Sequence, residues 1–256
     1  FTVIDPDEGF LACGTTGKGR LGSIDLIEEI ILDAIYALEK ERDLAGKTVL
    51  ITAGPTEEPI DPVRSITNKS SGKMGYALAR VARRRGATVH LVSGPVKIDV
   101  PQGVAFYPVS TALEMQAQVE KLYRDADVTI MAAAVADYRV KEIAKEKIKK
   151  DSETLTLELI KNPDILASLG EHKNGFLVGF AAETENLTEN ALSKLKKKNL
   201  DMIVANNVAV EGSGFGSDTN IVTIVTENES LELAKMSKDS LADIIIDHII
   251  KNGGTE

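Results

Sequence analysis

The chain has 256 residues, 43 % of them hydrophobic, and a formal charge of −9. This is enough apolar material for one large α/β domain, or one domain plus an appendage. The acidic balance argues against nonspecific nucleic-acid binding, no apolar run reaches the roughly 18 residues of a membrane span, and no export signal opens the sequence. A cytoplasmic protein is expected, with neither nucleic acid nor membrane as partner. The single cysteine, Cys13, excludes an internal disulfide framework and fits a reducing compartment. The first residue is Phe1 and not Met, so a piece of a longer protein is expected.

Residues 1–22 carry Gly9, Gly14, Gly17, Gly19 and Gly22 and read as a loop. A helix fits 24–43, where Ile27, Ile30, Ile31, Ala34 and Leu38 recur at helical spacing behind Ser23 as N-cap. Gly46 ends it, so domains are expected at 1–45 and 46–256. From Lys47 strands and helices alternate. Strands fit 48–53, 88–93, 104–109, 128–134, 176–182, 202–206 and 221–225. Several are continuously apolar, as in a parallel sheet covered on both faces. Helices fit 72–85, 112–124, 186–199 and 238–251, with Gly86 as a C′ glycine. The fold class is α/β: a Rossmann-like, doubly wound, mostly parallel sheet with an N-terminal loop-helix appendage. Residues 138–161 are rich in Lys and Glu and read as a flap with a short hairpin or edge strand.

Ligands of such sheets sit beyond the carboxyl ends of the strands, so the loops after residues 53, 93, 134, 182 and 206 form the expected site floor. The first loop, GPTEEPIDPVRSITNKSSGKMG (54–75), is long enough to be functional. It ends at Ser70, Ser71 and Gly72, where free amides at a helix start suit an anion; a serine cap is the structural alternative. Gly72 and Gly75 admit either a ligand or tight helix–sheet packing. A nicotinamide-dependent oxidoreductase is the obvious rival, but GxGxxG is missing and the second strand ends in Ser93-Gly94 without a carboxylate for a ribose. No Walker loop is present either. A non-catalytic nucleotide-binding domain is a third reading.

Ala132, Ala133 and Ala134 let a ligand touch the backbone just before Asp137, which suits a ribose hydroxyl, an amino group or Mg2+, or else a cap or ion pair. Lys145, Lys147, Lys149 and Lys150 crowd the flap, either as a solvated face or as grips for a triphosphate. Lys194 and Lys198 stand at i, i+4. Read as unpaired cations, they invite an anion between them; a lysine-rich surface helix is the alternative. Asn162-Pro163 reads as a turn before a helix with Pro163 at N1. Phe180 faces either a ring or the core. The three histidines are scattered and suggest no metal cluster.

Taken in order, GPTEEPIDPVRSITNKSSGKMG, AAAVADYR, EKIKK, IKNPDI, GFAAET and KKKNLDMIVAN resemble phosphopantothenoylcysteine synthetase of bacterial coenzyme A biosynthesis, over about residues 46–252. DEGFLACGTTGKGRL resembles the substrate flap that ends the FMN-dependent phosphopantothenoylcysteine decarboxylase, commonly fused ahead of the synthetase. The resemblance implies a Mg2+-dependent ligase. CTP activates 4′-phosphopantothenate as an acyl-cytidylate, pyrophosphate leaves, and the amine of L-cysteine displaces CMP. It assigns Asn68 to turnover of the acyl-cytidylate, its amide holding the developing oxyanion, with Arg64 beside it toward the substrate. It assigns Lys147 to activation, and Asp137, Ile160, Lys161, Asn162, Pro163, Phe180, Lys194 and Lys198 to CTP. It implies a homodimer with sites near the interface, and a larger assembly for the full-length protein. Cys13 matches the decarboxylase's proton donor, so it acts only with the flavin half; neither FMN nor decarboxylation is expected of this fragment, and whether residues 1–22 are ordered without that half stays open.

Overall fold

Val49, Ile51 and Ala53 point into one core and Leu50 into another, because successive side chains of a strand face opposite sides. In the computed structural model this alternation runs across a central sheet covered on both faces. The structure describes residues 3–39, 42–149, 153–183, 187–207 and 216–255. The chain forms two units that divide between Asp43 and Leu44.

In the first unit, Asp7–Phe10 pairs antiparallel with Thr16–Arg20. The expected loop is therefore a hairpin, closed by Leu11 N–H donating to Thr15 O (2.8 Å) and by Gly14 at φ 84°. Its strands hold three glycines, which hides the strand signal. Helix α1 spans Ile24–Glu39, and Ser23 Oγ accepts from Leu26 N at 3.2 Å, a true N-cap. Residues 42 and 43 are not helical, and 40–41 lie outside the described residues. Gly46 does not terminate α1; it sits at φ 81° in the turn that starts the second unit.

The second unit contains the eight-stranded sheet: β1 (Thr48–Ala53), β2 (Thr88–Ser93), β3 (Ala105–Pro108), β4 (Val128–Met131), β5 (Phe176–Glu183), β6 (Met202–Asn207), β7 (Val222–Val225) and β8 (Ser230–Glu232). The spatial order is β8-β7-β6-β5-β4-β1-β2-β3. Pairs from β3 through β6 are parallel; β7 and β8 are antiparallel additions. Helices α2 (Lys73–Arg84) and α6 (Lys238–Lys251) cover one face. Helices α3 (Ala112–Tyr123), α4 (Ile165–Glu171) and α5 (Leu187–Lys197) cover the other. Asn186, expected at the start of α5, lies outside the described residues. No described helix is long and apolar enough to cross a membrane.

The strand order reverses between β1 and β4, which makes their carboxyl ends the topological switch point. Helix α2 is held tightly there. A Cβ on Gly75 would lie 2.5 Å from Ala53 Cβ and 3.1 Å from Thr52 O, so Gly75 serves helix–sheet packing. Gly75→Val is expected to destabilise the fold by about 1–3 kcal/mol through overpacking, read as a lower denaturant midpoint with unchanged slope.

Candidate functional site

Beyond β1 and β4 the two chains are spliced. Ala134 N donates to Gly54 O (2.9 Å), and Pro55 and Ala134 form a parallel bridge. Two buried threonines hold the rest. Thr52 Oγ1 accepts from Ala133 N (3.1 Å) and Thr56 Oγ1 from Ala136 N (3.0 Å). This is why β4 stops at Met131 and not at Ala134. Asn68, at the end of the first loop, donates from Nδ2 to Ala134 O and Val135 O, both at 3.1 Å. Both donors of its amide are committed, and Oδ1 can only accept; the expected oxyanion role of that amide has no free hydrogen here.

The expected hairpin forms from Tyr138–Val140 and Leu159–Lys161. Asn162 locks its base: Nδ2 donates to Ala136 O (2.8 Å), N to Asp137 O (2.8 Å), and Oδ1 accepts from Arg139 Nη1 (2.9 Å). Helix α4 begins at Ile165 with Asp164 as N-cap, accepting from Ala167 N (3.0 Å), so Pro163 is not at N1.

A cleft of about 800 Å3 opens between these elements. Its wall includes Asn68, the run Ala132–Asp137, and Tyr138. Lys161, Asn162, Pro163 and Asp164 form the hairpin side, and Phe180, Lys194 and Lys198 close it. Lys198 is not the unpaired cation expected: its Nζ lies 2.9 Å from Asp164 Oδ1 and 2.8 Å from Oδ2. Lys194 is also engaged in an interaction of its own. Phe180 is half-buried; it packs against the core and lines the cleft.

Ser70, Ser71 and Gly72 line an adjoining pocket of about 80 Å3 that shares Ala132 and Phe180 with the cleft. Neither serine caps α2. Gly72 holds the N-cap position at φ 76°, and Ser70 Oγ accepts from Gly72 N (3.3 Å). Ile160 lies in the hairpin, paired with Arg139, outside the cleft wall. The loop after Ser93 opens onto a different groove. Cys13 belongs to the first unit, exposed at the hairpin turn, where hydrogen bonds with Thr15 lower its thiol pKa.

Arg64 and Lys147 do not line the cleft. Lys145, Lys147 and Lys149 are exposed, and Lys150 lies outside the described residues. Arg64 Nε donates to Asp61 Oδ2 (3.0 Å), and Nη2 donates to the same atom and to Ile148 O (3.0 Å). Sequence reasoning passed over Asp61, whose buried carboxylate also accepts from Ile148 N (3.1 Å). Asp-Pro-Val-Arg reads simply as a turn, and nothing local signals a partner 87 residues away. Thr56 was passed over for the same reason. Among the described residues, no group of three or more His, Cys, Asp or Glu could hold a metal ion.

A doubly wound sheet with a polar cleft at its switch point defines a Rossmann-like α/β domain. Residues 44–252 match the family model described as "DNA/pantothenate metabolism flavoprotein C-terminal domain", and the chain belongs to that family. It is 49 % identical over 252 residues to the "Coenzyme A biosynthesis bifunctional protein CoaBC" of Bacillus subtilis (strain 168), covering 97 % of this chain and 62 % of the relative. The CoaBC protein of Vibrio cholerae is 47 % identical over 250 residues, with 96 % and 61 % covered. The chain thus spans about three-fifths of the length of these curated relatives. Among solved structures, the crystal structure of the C-terminal domain of a CoaBC protein superposes with a TM-score of 0.71 at 44 % identity, covering 82 % of this chain and 96 % of that one.

Thr56→Val leaves the buried Ala136 amide unpaired and is expected to cost about 1–3 kcal/mol in denaturant unfolding. A second expectation concerns acid. The Arg64 guanidinium, the charged group in direct contact among the described residues, holds the Asp61 carboxyl well below the usual carboxylate range; its own burial opposes this less strongly. A carboxylate with a depressed folded pKa stabilises above the unfolded value of about 3.9 and loses that contribution as pH falls through the folded value. Asp61→Asn is therefore expected to lower stability by a constant amount from pH 5 to 8, with the gap from wild type closing below about pH 4. A gap that widened on acidification would contradict this.

Proposed function

We propose that this chain is a phosphopantothenate–cysteine ligase. It activates 4′-phosphopantothenate with CTP and couples it to L-cysteine, as a step of coenzyme A biosynthesis. The observation that carries the proposal is the cleft at the switch point, where a polar floor and the cations Lys161, Lys194 and Lys198 meet the motifs shared with the synthetase family. The CoaBC names of its relatives support the pathway, and the sequence resemblance supports cytosine as the base. The oxidoreductase reading is disfavoured by the first loop. A dinucleotide fold joins β1 to its helix by a short glycine turn, whereas residues 54–72 here include a hairpin. The buried Ser93 spends its hydroxyl on Gly94 O, and the strand ends in Ser93-Gly94 without an acidic residue of its own for a ribose.

The chemistry runs in two displacements. A carboxylate oxygen of 4′-phosphopantothenate attacks the α-phosphorus of CTP, forming the acyl-cytidylate and breaking the bond to pyrophosphate. The amine of cysteine then attacks the acyl carbon, losing a proton as CMP departs. Lys194, Lys198 and Lys161 bind the anionic nucleotide, and the alanine run lets it approach the backbone. Lys147 enters from the flap to neutralise charge on the departing pyrophosphate. Asn68 offers Oδ1 as an acceptor for the cysteine amine, since its Nδ2 is committed to two carbonyl oxygens. Asp137 is the cleft carboxylate that would help hold a Mg2+, and the ion would screen negative charge there.

We further read residues 1–45 as a segment of the flavin-dependent decarboxylase, with Cys13 its proton donor when the FMN-bearing half is present. The ligase domain is read as a homodimer.

The test is pyrophosphate release by the purified chain, dependent on 4′-phosphopantothenate, compared across four nucleoside triphosphates. CTP is expected to support turnover best; none doing so overturns the proposal. Lys147→Gln is expected to lower pyrophosphate release about a hundredfold or more. Asn68→Asp cannot donate to Ala134 O and Val135 O, so its side chain leaves that anchor. It is expected to release pyrophosphate and accumulate acyl-nucleotide without passing it to cysteine, read by trapping the intermediate.

A further inference from the structure

Asp61 stands at the tip of the hairpin formed by Glu57–Pro59 and Ser65–Thr67, only 3 % exposed although Pro62 and Val63 beside it are open to solvent. Burying a carboxylate is costly unless donors surround it. Two of its donors close its own turn: Val63 N and Arg64 N, both 2.9 Å from Oδ1. An Asp turn needs no more than that. The remaining donors serve another purpose. Oδ2 takes the Arg64 guanidinium and the amide of Ile148 in the flap, while Arg64 Nη2 claims the carbonyl of the same Ile148. Both backbone polar groups of one flap residue are therefore fastened to this hairpin. A second tie lies four residues earlier, where Ala144 N donates to Ile60 O at 3.0 Å.

The residue next to the fastened Ile148 is Lys147. The return arm of the hairpin ends at Thr67, directly before Asn68, which is itself fixed to the end of β4. Thr67 Oγ1 closes the arm by donating to Thr56 O at 2.8 Å. One short antiparallel ladder thus stands between the flap lysine and the cleft asparagine, with Asp61 at its far end.

We propose that Asp61 is a positioning residue: by fastening Ile148 it anchors the flap next to Lys147, so that the lysine, which stands outside the cleft wall here, enters it from one fixed point relative to Asn68. The proposal rests on the reading of Lys147 as the activating lysine. Asp61 touches no substrate and acts only through the flap backbone.

The test uses the purified chain with two variants. Asp61→Asn keeps the shape but weakens acceptance from Arg64 and Ile148. Ile148→Pro removes the flap's own N–H donor, fixes the backbone at 148 and restricts that of Lys147, while leaving the hairpin turn intact, so it carries the test if Asp61→Asn fails to fold. In each, kcat for pyrophosphate release is expected to fall at least about tenfold, as misplacement of a reacting group does. The dissociation constant for CTP, by calorimetry, is expected to stay within about threefold, because no cleft residue has changed. Trypsin is expected to cut after the exposed Lys145, Lys147 and Lys149 faster than in wild type, with cooperative unfolding retained. Unchanged kcat in both variants overturns the proposal, and so does faster cleavage with unchanged kcat. If wild type itself releases no pyrophosphate, the ligase reading has failed and this proposal with it; a wild type that turns over beside unaffected variants fails the proposal alone.

Discussion

The site depends on one splice: the chain leaving β4 runs beside the chain leaving β1 and hydrogen-bonds to it before either turns away. Parallel strands diverge beyond their carboxyl ends, and at a switch point the helices that follow lie on opposite faces of the sheet. The Ala134 amide on Gly54 O and the threonine hydroxyls of Thr52 and Thr56 delay that divergence. They turn a gap into a floor of alanine backbone. Asn68 bonds to two carbonyl oxygens there.

On the proposed reading, the charge at that floor serves an exchange of partners. The protein is acidic overall, so cations must be concentrated where an anion is to bind. Lys198 is held by Asp164, itself the N-cap of α4. With Asp164 half exposed, such a pair contributes about 0–1 kcal/mol. A phosphate group offers more charge than one carboxylate, so it can take Lys198 from Asp164 at little cost. Asp164 retains its capping bond when the lysine swings away. The paired lysine of the resting protein is thus compatible with a cleft that receives a polyphosphate.

Legibility in the sequence followed burial. Thr48–Ala53, Thr88–Ser93 and Lys238–Lys251 have the bounds their hydrophobic pattern predicts, because each is covered by core on a regular period. Ser230–Glu232 was not foreseen: three residues at a sheet edge carry too little pattern. The N-terminal hairpin reads as a loop in the sequence because glycine, the turn signal, occupies its strands. Asp137 and Asn162 stand directly beside predicted elements, so their place near the sheet rim could be inferred. Asp61 could not, since its meaning lies in an amide far along the chain. The lysine pair failed as a reading of free cations for a related reason: spacing puts Lys194 and Lys198 on one helix face but says nothing of Asp164 on another helix.

The central claim is that a nucleoside triphosphate lies on the floor between β1 and β4. A crystal structure of the chain soaked with CTP and Mg2+ tests it most directly. The account predicts the triphosphate along Ala132–Asp137, within hydrogen-bond reach of Lys198, with the Lys198–Asp164 pair opened. Nucleotide found at another edge of the sheet, or that pair intact beside an empty cleft at saturating CTP, would contradict it.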